Sequence, residues 1–133
     1  MQTATARNYV TPDLKGKNIL IVEDVSSNYQ LLAAYLTPLG VTITHEEYGI
    51  SAFETFRKNR NFNLVLMDLR LPDIHGLEIT RRIREIDPDV PIIAQTAYAM
   101  LADKHMCMDA GCNDYISKPI HKSDFFEILN KYF

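Results

Sequence analysis

Four short apolar runs in this chain each stop on a residue that can do chemistry. The run in IVEDVSSN ends on Glu23 and Asp24, the run in LVLMDLRLPDIHG on Asp68, the run in IIAQTAYAM on Thr96, and the run in GCNDYISKPI on Lys118. The carboxylates are ligands for a hard cation or a nucleophile, and the hydroxyl and ammonium bind oxyanions. Three ionised carboxylates a few ångströms apart repel by about 4 kcal/mol per pair at an effective dielectric of roughly 20, so such a cluster needs a cation or protonation. Oxygen ligands that leave room for waters suit Mg²⁺. Singly, each residue has a plainer reading: Asp68 as a loop acid, Thr96 as a strand-end hydroxyl, Lys118 as a solvated lysine, and Glu23 with Asp24 as a helix cap and its neighbour. Their joint occurrence at the ends of successive strands is what argues for a site.

The elements that must position them follow from the hydrophobic pattern. Five apolar or alternating runs, NILIVE, VTITHE, LVLM, PIIAQ and DYIS, alternate with amphipathic stretches at 28–39, 51–59, 77–86, 100–110 and 123–132. Leu32, Tyr35, Leu36 and Leu39 share one helical face, as do Phe125, Ile128, Leu129 and Tyr132. Gly40 and Gly111 stop the first and fourth helices, and Ser123 is placed to cap the fifth. Repeated strand-helix units with short loops predict an α/β fold: a flavodoxin-like, doubly wound, five-stranded parallel sheet with five helices on its two faces. VTITHE alternates where the other strands are continuously apolar, which marks it as an edge and predicts the order 2-1-3-4-5. In such a sheet the ligand site lies beyond the carboxyl ends of the strands where the order reverses, between strands 1 and 3. Glu23, Asp24 and Asp68 would meet there.

Length and composition bound the rest. The chain has 133 residues, 47% of them hydrophobic, which predicts one domain, with residues 1–17 as a polar linker or arm and residues 18–133 as the folded unit. A formal charge of −3, spread without blocks, argues against nucleic acid or an anionic membrane surface as partner. No stretch has the length and apolarity of a spanning helix or a signal peptide, so a cytoplasmic location is expected. Cys107 and Cys112 lack a second ligand pair for zinc and are read as free thiols. The four histidines, His45, His75, His105 and His121, are scattered singly and are read as surface or loop residues. Oligomeric state is not encoded in any of these patterns.

From about Asn18 to Phe133 the chain closely resembles a response-regulator receiver domain of two-component phosphorelay signalling. The resemblance is carried by IVEDVSSN, LVLMDLRLPDIHG, IIAQTAYAM and GCNDYISKPI. It implies that Asp68 accepts a phosphoryl group from a histidine kinase or histidine phosphotransfer domain, and that Asp24, Asp68 and the Arg70 carbonyl bind Mg²⁺ while Glu23 acts through water. It further implies that Thr96 and Lys118 bind the phosphoryl oxygens, that Thr96 and Tyr115 form a switch, and that Lys118-Pro119 is cis. Glu23 stands where the family more often has Asp, and Arg70 and Tyr98 are bulky residues at variable positions that bear on phosphoryl lifetime. The wording of QTAYAM and VEDVSSNYQLL is most similar to the receiver of a hybrid sensor histidine kinase, with a stand-alone regulator as the second reading. Such a domain catalyses its own aspartyl phosphorylation and dephosphorylation, and a hybrid parent chain would be a kinase.

Three other readings compete. A phosphatase of the haloacid dehalogenase kind needs a second Asp two positions after the nucleophile, where this chain has Arg70. A flavodoxin-like flavin protein must cradle a phosphate in its first loop, where Glu23 and Asp24 would repel it. A phosphorylation-independent protein-binding module on the same fold would have no use for the complete constellation.

Overall fold

In the computed structural model, the described residues are 10–97 and 101–133. Five strands, β1 (Asn18–Val22), β2 (Thr42–Glu46), β3 (Leu64–Asp68), β4 (Ile92–Thr96) and β5 (Asp114–Ser117), form one parallel sheet in the order β2-β1-β3-β4-β5. The helices are α1 (Ser26–Leu36), α2 (Gly49–Lys58), α3 (Gly76–Ile86), α4 (Leu101–Ala110) and α5 (Lys122–Tyr132), with a 3₁₀ turn at Thr37–Leu39. The expected class and strand order are both present.

Each central strand is apolar on both sides because both sides are covered. Ile19, Ile21, Leu64, Leu66, Ile93 and Ile116 face α1 and α5, where Leu32, Leu36, Phe125, Phe126 and Leu129 complete one core. Their alternate neighbours Leu20, Val22, Val65, Met67, Ile92 and Ala94 face α2, α3 and α4 through Ala52, Phe56, Ile79, Ile83, Cys107 and Ala110. Edge strand β2 is only partly buried, consistent with its alternating sequence. Leu14, outside the boundary expected at residue 18, is fully buried in the α1/α5 core. Its N–H donates to the Leu39 carbonyl at 3.0 Å, and the Lys17 carbonyl accepts from Thr42 N at 2.9 Å.

Helix boundaries differ from expectation at several ends. The α1 segment finishes as a 3₁₀ turn because Pro38 cannot donate the next α-helical hydrogen bond, and Gly40 then turns the chain with a left-handed φ of 81°. Helix α5 begins at Lys122 with His121 before it, so Ser123 lies inside the first turn and does not cap the helix. Helix α3 starts at Gly76, packed against the backbone that follows β3: a Cβ there would land on the Asp68 carbonyl oxygen and 2.9 Å from Leu69 Cα. Backbone blocks that position on the side of the site. Gly76→Ala is therefore expected to destabilise the protein by roughly 2–3 kcal/mol, as overpacking against atoms that cannot yield does. Urea denaturation checks this, and a loss under 0.5 kcal/mol would show that the loop relaxes freely.

Candidate functional site

The sheet order puts β1 beside β3, with Val22 level with Met67. The residues that follow, Glu23 and Asp24 on one side and Asp68 on the other, therefore meet at the same edge. One carboxylate oxygen from each of Glu23, Asp24 and Asp68 lies within 4.8 Å of the others. Glu23 is wholly buried and Asp68 is 3% exposed. Glu23 Oε2 accepts from Val25 N at 3.1 Å, while Glu23 Oε1 sits 3.0 Å from Lys118 Nζ in an ion pair without the angles of a hydrogen bond. Lys118 Nζ is also 3.3 Å from Asp68 Oδ2, and Asp68 Oδ1 accepts from Arg70 N at 3.1 Å.

One ammonium among three carboxylates leaves negative charge over. Burial, then the neighbouring Glu23 carboxylate, push the Asp68 carboxyl up to about 6, against the opposing pull of Lys118 and the Arg70 N–H. Asp24 Oδ1 and Glu23 Oε1 are buried oxygens with no hydrogen-bond donor. Buried acceptors without donors, in a cluster of hard oxygens, are what a divalent cation fits. The residues therefore suit Mg²⁺.

On the other side of Asp68 is a cavity of about 140 Å³ lined by Asp68, Arg70, His75, Thr96 and Lys118 among others. Thr96 closes β4 at 7% exposure, and its carbonyl accepts from Lys118 N at 2.8 Å, which ties the hydroxyl strand to the lysine strand. The Lys118-Pro119 bond is cis, as the resemblance implies. Tyr115 is on β5, level with Ala94 and partly buried against the α2/α3/α4 core, with Lys104 Nζ 5.7 Å from its ring centre. Tyr98 lies outside the described residues. Glu23, Asp24, Asp68, Arg70, Thr96 and Lys118 are thus brought together.

Several contributors escaped sequence reasoning. His75, read as a plain loop residue, lines the cavity and accepts from Leu77 N at 3.1 Å through Nδ1, capping α3. Its place just before the first helical residue was the available signal. His45 stacks on Tyr29 at 3.6 Å and an interplanar angle of 4°, and its Nε2 lies 2.7 Å from the Glu23 carbonyl. No local pattern announces that contact across 22 residues of sequence. Gln95, level with Asp68 in the sheet, is fully buried with its amide unpartnered.

The family model for the response regulator receiver domain matches residues 19–130. Hybrid signal transduction histidine kinase I of Dictyostelium discoideum is 35% identical over 122 residues, which are 86% of this chain but 7% of that protein. The chain thus spans a small fraction of that relative. The polar-differentiation response regulator DivK of Brucella anthropi is 36% identical over 118 residues, covering 87% of this chain and 95% of that protein. Among solved structures, the receiver domain of the sensor histidine kinase PA1611 from Pseudomonas aeruginosa, with a magnesium ion coordinated in its active site cleft, matches with a TM-score of 0.80 at 39% identity, covering 88% of this chain and 97% of that one. The Ssk1 receiver domain of Saccharomyces cerevisiae, crystallised with the histidine phosphotransfer protein Ypd1, matches with a TM-score of 0.83 at 27% identity, covering 90% of each chain.

The raised Asp68 pKa has a consequence for stability. Between the ordinary value of 3.8 and about 6, the folded protein holds a proton that the unfolded chain has released. The favourable contribution is complete below that window and is lost as pH rises through it. In chelator-treated protein, Asp68→Asn is expected to be more stable than wild type at pH 7.5 by about 1–3 kcal/mol, with the gap shrinking toward pH 4. Excess Mg²⁺ should narrow the gap at pH 7.5. Paired urea titrations across this range check both, and a gap that is flat with pH would remove Asp68 as its source.

Proposed function

The chain belongs to the response-regulator receiver family, and from that premise we propose that Asp68 is its phosphoacceptor, with Glu23, Asp24 and the Arg70 carbonyl completing a Mg²⁺ site. The chain is a receiver domain of two-component signalling. The observation that carries the residue assignment is the position of Asp68: one oxygen is held by Arg70 N, the other faces Lys118, and a cavity of about 140 Å³ lies alongside.

In this reading, an Asp68 carboxylate oxygen forms a bond to phosphorus as the P–N bond of a donor phosphohistidine breaks, and the electron pair leaves with the imidazole. The donor is a histidine kinase or a histidine phosphotransfer domain, and the Ypd1 complex of a related receiver supports the second. The transition state is loose, with charge on the peripheral oxygens. When bound, Mg²⁺ supplies positive charge to those oxygens and offsets the acidic cluster. Lys118 adds a second cation from the β5 side, and the Thr96 hydroxyl a neutral donor from β4. Arg70 N fixes the Asp68 rotamer by holding one oxygen, so that the other stays toward the cavity. The side chains of Arg70 and Tyr98 are proposed to govern water access and hence the lifetime of the acyl phosphate.

Phosphorylation adds roughly −1.5 to −2 charge at Asp68. Movement of Thr96 toward the new oxygens would free space for Tyr115, two strands from the acceptor, and change the strand 4 to strand 5 face, the surface proposed for partners. A phosphorylation-independent module would leave the repulsion among the buried carboxylates without a role.

Incubation with acetyl phosphate and Mg²⁺ is expected to add one phosphoryl group, detected by intact mass, and Asp68→Ala to abolish it. Thr96→Ala should still be modified, roughly a hundredfold to a thousandfold more slowly, as expected for loss of one donor to the transferring oxygens. Modification of Asp68→Ala at the wild-type rate would refute the assignment.

A further inference from the structure

Helix α2 starts without a cap of its own. The residue before it, Tyr48, is extended (φ −123°, ψ 144°) and provides no side-chain hydrogen bond. The first two helical N–H groups donate instead to Asp73, Gly49 N to Oδ1 at 2.8 Å and Ile50 N to Oδ2 at 2.9 Å. Asp73 belongs to another loop, the one that joins β3 to α3. The base of that loop is closed by Gly76 N donating to the Leu69 carbonyl at 2.9 Å and by an antiparallel bridge between Arg70 and His75. Asp73 is at its tip. Beside it, Ile74 packs so closely on Gly49 that a Cβ at position 49 would come within 2.5 Å of Ile74 Cγ2 and 2.8 Å of Ile79 Cγ1.

We propose that Asp73 is a positioning residue for the acidic site: by clamping the tip of the 69–75 loop onto α2, it fixes the Arg70 peptide against Asp68. The Arg70 peptide is the piece of that loop that touches the site, through its N–H to Asp68 Oδ1 at 3.1 Å. Its carbonyl is on the next peptide plane of the same short loop, and this part of the inference rests on the proposed Mg²⁺ site. Fixing the loop only at its base leaves it free to rock; fixing the tip as well removes that freedom. The charge suits the task, since a carboxylate at a helix N-terminus gains from both the free N–H groups and the local positive potential. Its own pKa is lowered, with the Ile50 and Gly49 N–H groups opposing the effect of burial.

A local cap on α2 separates positioning from simple stabilisation. The variants are Asp73→Ala, Asp73→Asn and the double variant Tyr48→Asn with Asp73→Ala, which gives α2 a side-chain acceptor from its own preceding residue. Two readouts are taken by NMR: hydrogen exchange of the Arg70 amide in metal-free protein, and Mg²⁺ affinity from a titration with MgCl₂. Asp73→Ala is expected to speed Arg70 exchange and weaken Mg²⁺ binding, each by about three- to tenfold, the range that losing one cap corresponds to. Asp73→Asn should fall between, because its amide accepts through one atom only. The double variant should recover thermal stability while Arg70 exchange and Mg²⁺ affinity stay as in Asp73→Ala. Unchanged Arg70 exchange in Asp73→Ala, or recovery of both readouts in the double variant, would overturn the proposal. If wild type binds no Mg²⁺, the proposed metal site fails, and Arg70 exchange still decides the clamp.

Discussion

Three carboxylates held at the end of a parallel sheet repel one another, and the rest of the site is arranged around that repulsion. Glu23 is wholly buried and Asp68 nearly so, so water does little to screen them. Lys118 answers part of the charge, at 3.0 Å from Glu23 and 3.3 Å from Asp68. The remainder appears as an Asp68 carboxyl whose pKa rises to about 6 and as buried oxygens without donors. A site in this condition gains more from a divalent cation than a charge-balanced one would. The same imbalance keeps Asp68 responsive to any group that brings or removes charge beside it.

Strand order alone creates this arrangement. Because β1 lies between β2 and β3, its C-terminal acids are carried next to Asp68, while β4 and β5 deliver Thr96 and Lys118 from the other side. None of the four contributing segments is close to another in sequence. Any order that separated β1 from β3 would leave Asp68 beside one lysine and no acids, which makes an ordinary buried ion pair. Chemistry here is a property of topology first and of residue type second.

That is also why so much of the site was legible in the sequence. The central strands announce themselves by apolar runs, and Asp68 stands out as an acid at the end of one. Residues held by tertiary contacts announced nothing. Asp73 caps a helix that begins 24 residues before it, and His45 reaches the Glu23 carbonyl from an edge strand. Each looks locally like a surface residue. Ser123 shows the converse: it has the chemistry of a cap, but the chain enters α5 at Lys122 and leaves that hydroxyl two residues past the cap position, His121. Leu14 was hidden in another way, as an isolated apolar residue in a polar segment, where no periodicity distinguishes the buried Leu14 from the exposed Val10.

The two ends of the sheet are held by different forces. At the end away from the site, Asn63 N donates to the Asn18 carbonyl at 2.8 Å and Asn18 N returns the bond to Asn63 Oδ1 at 2.8 Å. Asn113 and Ile92 repeat the arrangement, again at 2.8 Å both ways, and Arg84 adds bonds from α3 to Asn113 Oδ1 and the Gly111 carbonyl. Apart from the Arg84 guanidinium, these are neutral backbone and side-chain amide groups paired with one another at the start of β1 and β4. At the other end, Glu23, Asp68 and Lys118 are linked by ion pairs with spare valence. A change of charge there alters forces among groups that were never fully paired, while the opposite edge keeps the strands in register. The fold can thus let the charged end adjust without loosening the sheet that built it, because the bonds that fix the register and the clustered charges lie at opposite ends of the same strands.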